Sequence, residues 1–158
     1  MSRGQFAGVL QETNSPAFEV ADNLYNVCLQ NGGVNPAVAL AFFYRLSRCG
    51  TSYADPAKVQ NRNWGEIAGD GQGVGGVQAY PSWEQGLIDW CRISANVLGV
   101  EGLTTLSAVA PRLQPAGAAD PAGFARSVSE LITQWKAHFD TFGFVLAERG
   151  FGDWHPVR

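Results

Sequence analysis

The residues of this chain with the most chemical capability lie between positions 44 and 80. Glu66, in "WGEI", is a carboxyl group in a loop context, and Asp55 and Asp70 are two further loop acids. Such a group can donate a proton if its pocket is partly apolar, can pair with a cation such as Arg45, or can be solvated. Aromatic residues are interleaved with it: Tyr44, Tyr53, Trp64 and Tyr80. Trp64 and Tyr80 fall in loops, where side chains serve function more often than in helices. Trp83 and Trp90 repeat at helical spacing and read as core. Cys28, Cys49 and Cys91 are odd in number and show neither CxxC nor metal-ligand spacing. They read as small buried hydrophobes of a reducing compartment, with one disulfide plus a spare thiol as the alternative. With only His138 and His155 as histidines, neither a metal nor another cofactor is expected.

The scaffold that must position these groups is one of ordinary globular composition. Its 158 residues favour a single domain, and 46% hydrophobic against 16% charged residues describe a chain able to bury a core. The formal charge of -3 gives no basic field, so nucleic acid and an anionic membrane surface are not expected partners. No stretch approaches the roughly 20 apolar residues of a membrane span. "MSRGQFAGVLQETNS" lacks the apolar run and cleavage pattern of a signal peptide.

Helices punctuated by cap signals account for most of the chain. Ser15 and Pro16 open a pattern that puts Phe18, Ala21, Leu24, Tyr25 and Cys28 on one face, stopped by Gly32-Gly33. Asn35 as N-cap and Pro36 as first helical residue start "AVALAFFYRLSR", which Gly50 closes. Being apolar nearly all round, this helix is expected to be central and buried. Residues 54–80 are rich in Gly and Asn and read as a loop with a small β-hairpin around 62–80. "PSWEQGLIDWCRISANVL" returns to helical spacing, with Ser82 and Gln85 in a capping-box arrangement and Trp83, Leu87, Trp90 and Ile93 as its stripe. A short helix at "LTTLSAVAPRL" follows. After the linker "QPAGAAD", Asp120 and Pro121 open a last long helix with Phe124, Val128, Leu131, Ile132 and Trp135 inward.

Four blocks, "VNPAVALAFFYRLSRCGTS", "NWGEI", "VQAYPSWEQGLIDWCRIS" and "LTTLSAVAPRLQP", carry a resemblance. In order and spacing they are similar to the bacterial glucosaminidase domain of the lysozyme-like superfamily, the type labelled mannosyl-glycoprotein endo-β-N-acetylglucosaminidase-like. The similarity runs from about Ser15 to about Lys136. It implies a mainly α fold, α+β in the lysozyme sense: a helical domain with a small β-hairpin beside a cleft. The expected organisation is an N-terminal segment 1–14, the domain 15–136, and an aromatic C-terminal extension 137–158.

The chemistry implied by the resemblance is cleavage of peptidoglycan glycan. A carboxylic acid, held neutral by a partly apolar pocket, protonates the glycosidic oxygen while a second group stabilises the oxocarbenium charge or places water. The family's acid lies in a motif similar to "AFFxHESxxGT". Laid onto this chain, its His falls on Arg45, its Glu on Leu46 and its Ser on Ser47. Leucine carries no titratable proton, and a guanidinium is too weak an acid to replace it. Positioned proton transfer contributes about 10²–10⁴-fold to rate, so the expectation is a catalytically degenerate domain that binds peptidoglycan or another amino-sugar glycan. Tyr80 matches a family tyrosine facing substrate, and Trp64, Tyr44 and Tyr53 are candidates for sugar stacking. Glu66 stands where the family tends to read "GNI" and is the candidate for a relocated acid.

Two other readings stay open: a non-enzymatic interaction module, and an active hydrolase using Glu66. The apolar tail residues Phe142, Phe144, Val145, Leu146, Phe151 and Trp154 favour the former, since such an appendix wants burial against its own domain or a protein partner. Residues 139–158 are accordingly expected to pack over the domain or a neighbouring subunit. Synthesis in the cytoplasm with non-classical, phage or injection-machine delivery would reconcile a cell-wall target with the missing signal.

Overall fold

The computed structural model describes residues 1–31, 34–53, 56–69, 73–96 and 120–149, together with Gly99, Ala108 and Arg112. Asp55, Asp70, nearly all of "LTTLSAVAPRL" and the tail beyond Arg149 lie outside the described residues. So do the side chains of residues 140–149, among them Phe142, Phe144, Val145 and Leu146.

The described residues are mainly helical. Five α-helices occur in the order α1 (Arg3–Glu12), α2 (Ala21–Gln30), α3 (Pro36–Ser47), α4 (Trp83–Asn96) and α5 (Pro121–Arg149). Helix α3 forms as the capping residues dictate: the Asn35 side chain accepts from the Ala37 N–H at 2.9 Å, and Pro36 fills the first position, where no N–H is needed. Every residue from Pro36 to Phe43 is buried. The helix ends where Arg48 turns into the left-handed region at φ 47°, ψ 53°, followed by Cys49 and Gly50, also at positive φ. Around this axis α2 packs mainly on α4, and α5 on α3.

Segment 1–14, set apart in the sequence reading, is a helix of the same core. Ser2 and Gln5 form a capping box, Gln5 Oε1 accepting from the Ser2 N–H at 2.7 Å and Ser2 Oγ from the Gln5 N–H at 3.2 Å. Phe6, Val9 and Leu10 on its inner face are fully buried. At the other end, α5 runs through Lys136 without a break, and Phe139 is buried with its ring against Gly8 of α1.

Two expectations are corrected. Phe18 is 38% exposed, not inward, because Phe18–Val20 forms a 3-10 turn ahead of α2 and rotates it out of the helical register. The expected β-hairpin forms no strand among the described residues. One isolated antiparallel bridge, Ala68 to Val77, stands in its place. The physical reason is that two buried asparagines take over the ladder's hydrogen bonds. Asn61 bonds the backbone of Val74 in both directions, at 2.9 and 3.0 Å. Asn63 accepts from the Ile67 N–H and donates to the carbonyls of Ile67 and Gln78, all at 2.9 Å. A side-chain amide is a peptide group in miniature, so these residues clamp the loop without extending it into strands.

Candidate functional site

Leu46, at the position to which the resemblance assigns the acid, lies on the last turn of α3, half-buried and packed against the core. Arg45 beside it is exposed. Ser47 is buried and spent on structure: its hydroxyl donates to the Phe43 carbonyl at 3.1 Å and accepts from the Gly50 N–H at 2.9 Å, which ties down the left-handed turn.

Glu66 lies within electrostatic range of the same region. Burial above all, and less strongly the Glu66 charge, push the Tyr53 phenol above its ordinary pKa, while the neighbouring Ser47 side chain opposes them. Tyr53 also donates to the Asn63 carbonyl at 3.4 Å. The structure therefore brings Ser47, Tyr53, Asn63 and Glu66 together. Glu66 itself sits in the left-handed region at φ 50° and pairs with Lys58 at 3.5 Å rather than with Arg45. In that pair it serves as a carboxylate, whereas a proton donor has to be neutral.

Trp64 does not join this group. It is fully buried, one ring face stacked on Phe43 at 4.1 Å and its indole N–H donating to the Ala39 carbonyl at 3.0 Å, so it has no face to offer a sugar. Next to it, Gly65 lies against the Trp90 indole so closely that any side chain there would collide with it. Trp83 and Trp90 are core residues, as their spacing indicated.

Tyr80 is buried beside Gly86 of α4, where a side chain in place of glycine would meet the carbonyl oxygen of Arg62. Its hydroxyl donates to Asp89 Oδ2 at 2.5 Å. Burial first, then the Asp89 hydrogen bond and charge, push this phenol well above its usual pKa. A tyrosine so placed is a neutral hydrogen-bonding group over the physiological range, already committed to Asp89.

Tyr44 faces elsewhere. At roughly 100° per residue it lies about 200° around α3 from Leu46. It helps line a cleft of about 400 Å³ with Val9, Glu12, Thr13, Asn14, Arg48, Thr51, Ser52 and Trp135. Its ring meets Trp135 edge-on at 5.6 Å, and the Arg48 guanidinium lies 5.9 Å from its centroid. At the margin Glu12 bonds His138 at 2.9 Å. A second cleft, of about 410 Å³, runs between Glu19, Arg62, Trp83 and Glu84. Leu46, Glu66 and Tyr80 line neither.

The sequence-derived candidates thus divide among a core position (Trp64), a clamped loop beside the end of α3 (Tyr53, Glu66), a buried ring whose hydroxyl bonds the half-buried Asp89 of α4 (Tyr80) and a cleft on the far face of α3 (Tyr44). Missed at that stage were Asn61, Asn63, Lys58 and Asp89. The "NRN" immediately before a tryptophan was the available signal, since asparagines flanking an apolar anchor commonly bond backbone. Among the described residues no group of three or more His, Cys, Asp or Glu is placed to hold a metal, and no helix is long and apolar enough to cross a membrane. Cys28, Cys49 and Cys91 are free, buried thiols. No protein-family model, no curated protein and no solved structure matches the chain.

Proposed function

We propose that this chain is a lysozyme-like domain of the glucosaminidase type, α+β in plan, that has lost its proton donor and binds peptidoglycan or another amino-sugar glycan without cutting it. The observation that carries the reading is Leu46, a side chain without a proton to give, half-buried on α3 at the position where the resemblance puts the acid. The ion pair with Lys58 speaks against a transfer of that role to Glu66.

The test compares the native protein, Leu46→Glu and Glu66→Gln in release of reducing sugar from purified peptidoglycan and in sedimentation with it. The native protein is expected to sediment and to release nothing. Leu46→Glu should gain at most a trace, because Arg45 also departs from the family motif. Native turnover that disappears in Glu66→Gln would instead establish an active hydrolase with a relocated acid. Failure both to sediment and to cut would leave the domain as an interaction module.

A further inference from the structure

Two of the three cysteines meet in the seam between α2 and α4. Each lies on the inner face of its helix: Leu24, Val27 and Cys28 are buried on α2, and Leu87, Trp90, Cys91 and Ser94 on α4. Both cysteines are fully buried and belong to the same apolar cluster. The two helices start side by side. Pro16, Glu19 and Val20, which lead into α2, line one cleft with Ser82, Trp83 and Glu84, where α4 begins. Just beyond, the Asn23 side-chain amide donates to Glu84 Oε1 at 3.3 Å across the seam. From that bond Cys28 lies about 7.5 Å along α2 and Cys91 about 10.5 Å along α4, at the helical rise per residue. Helices that set out together therefore bring the two cysteines to nearly the same level.

The chemistry at the meeting point agrees with that register. The Cys28 thiol is held well above its ordinary pKa, by the neighbouring Cys91 side chain first and by burial second. Cys49 stands elsewhere. It follows the end of α3, its carbonyl accepts from Ser15 Oγ at 2.7 Å, and Thr13 is the side chain that neighbours its thiol. All three cysteines are free in this structure, and as thiols they fill the core as small hydrophobes. Only Cys28 and Cys91 face each other from two helices, the approach that a disulfide between elements requires.

We propose that Cys28 and Cys91 are a reversible redox pair: two thiols packed in the α2–α4 seam in a reducing medium, and a disulfide stapling α2 to α4 in an oxidising one. Cys49 remains a free thiol in both. The oxidant is a low-molecular-weight disulfide. The thiolate of one cysteine attacks a sulfur of that disulfide, forming a mixed disulfide and expelling one small thiolate. The thiolate of the other cysteine then attacks the protein sulfur of the mixed disulfide, which closes the Cys28–Cys91 bond and expels the second. Two electrons pass to the oxidant, and the two protons given up by the cysteines end on the two released thiols. Because both sulfurs are fully buried, exchange proceeds while the chain is folding or the seam is open. The bond closes a loop from residue 28 to residue 91 that contains α3, Trp64 and the asparagine-clamped segment, and it removes freedom from the unfolded chain. None of this depends on the glycan-binding reading.

The full chain is unfolded in urea and refolded in buffers of reduced or of oxidised glutathione. Free thiols are alkylated after denaturation, linked peptides are mapped by mass spectrometry, and thermal melts are recorded in parallel. In the oxidised buffer the expected result is a Cys28–Cys91 linkage with Cys49 alkylated, and a melting temperature roughly 10 °C above that of the reduced protein. Dithiothreitol should return it to the reduced value. Cys28→Ala and Cys91→Ala should each lose the difference between the two buffers, while Cys49→Ala keeps it. That difference is read within each variant, so any cost of the substitution to the fold cancels. The native chain decides the connectivity even where a variant fails to fold. Four results overturn the proposal: all three cysteines alkylated after oxidising refolding, a glutathione adduct that goes no further, a linkage that includes Cys49, or a linked protein that melts below the reduced one.

Discussion

The Trp64 indole N–H donates to the carbonyl of Ala39 at 3.0 Å, and the same ring stacks on Phe43 at 4.1 Å. One side chain thus pins the glycine-rich loop to two successive turns of α3. It converts a segment with little secondary structure into a fixed wall beside the end of that helix.

Replacing Trp64 should separate packing from hydrogen bonding. Trp64→Phe keeps a ring on Phe43 and is expected to cost about 1–2 kcal/mol, whereas Trp64→Ala opens a cavity and should cost about 3–5 kcal/mol. Urea denaturation monitored by far-UV circular dichroism measures both. Equal costs would mean that the stacking contributes little.

The asparagine clamp makes a sharper local forecast. Asn63→Ala strands the Ile67 N–H and the Gln78 carbonyl, while the Ile67 carbonyl keeps the Gln78 N–H, at about 1–3 kcal/mol for a buried group left unpaired. Hydrogen exchange at the Ile67 amide should accelerate while the amides of α2 keep their protection. Uniform acceleration across the molecule would show that the loop has no stability of its own.

At alkaline pH the buried ionisable groups should undermine the fold in a defined window. Burial pushes the Cys49 thiol from 9.0 up to about 12, so between those values the unfolded chain has released its proton while the folded chain holds it. The folded state then binds more protons, and stability falls as pH rises, at a limiting slope of about 1.4 kcal/mol per pH unit for one group. Tyr53 and Tyr80, raised from 10.0, extend the loss upward. Cys49→Ala is expected to flatten the dependence of the melting temperature from pH 9 upward, with little effect below it.

The contact of Gly8 with Phe139 reverses an ordinary helix substitution. Glycine to alanine inside a helix usually gains up to about 1 kcal/mol, but a Cβ on Gly8 would sit 2.7 Å from the buried Phe139 ring. Gly8→Ala should therefore destabilise the native protein yet stabilise Phe139→Ala, a crossing that thermal melts of the four proteins resolve. Limited proteolysis adds a check: removal of the chain from Phe139 onward should lower the melting temperature, and an unchanged value would show that Phe139 contributes nothing to the fold.

How far the fold could be read in advance differs from element to element. Helix α3 was legible because Asn35, Pro36 and an unbroken apolar run are local signals that agree with burial. Helix α4 was legible for the same reason, its Ser82 cap and tryptophan spacing being properties of neighbours in sequence. Even α1 had its signal in Ser2 and Gln5, although short segments with few apolar residues rarely stand out.

What remained for the tertiary structure to decide were the relationships between residues distant along the chain. Loop placement left Trp64 open to either role, and only the approach of α3 turned it into core, because an indole with both a stacking partner and an acceptor gains more from burial than from water. For Glu66 the sequence offered Arg45 as a partner, but the backbone turns through a left-handed residue and sets it beside Lys58 instead. Tyr44, Arg48, Glu12 and Trp135 belong to three different helices, and no local pattern links them. They meet because the apolar faces of α1, α3 and α5 must be buried together. The cleft is a consequence of that packing, which is why it could not be read from any one stretch of sequence.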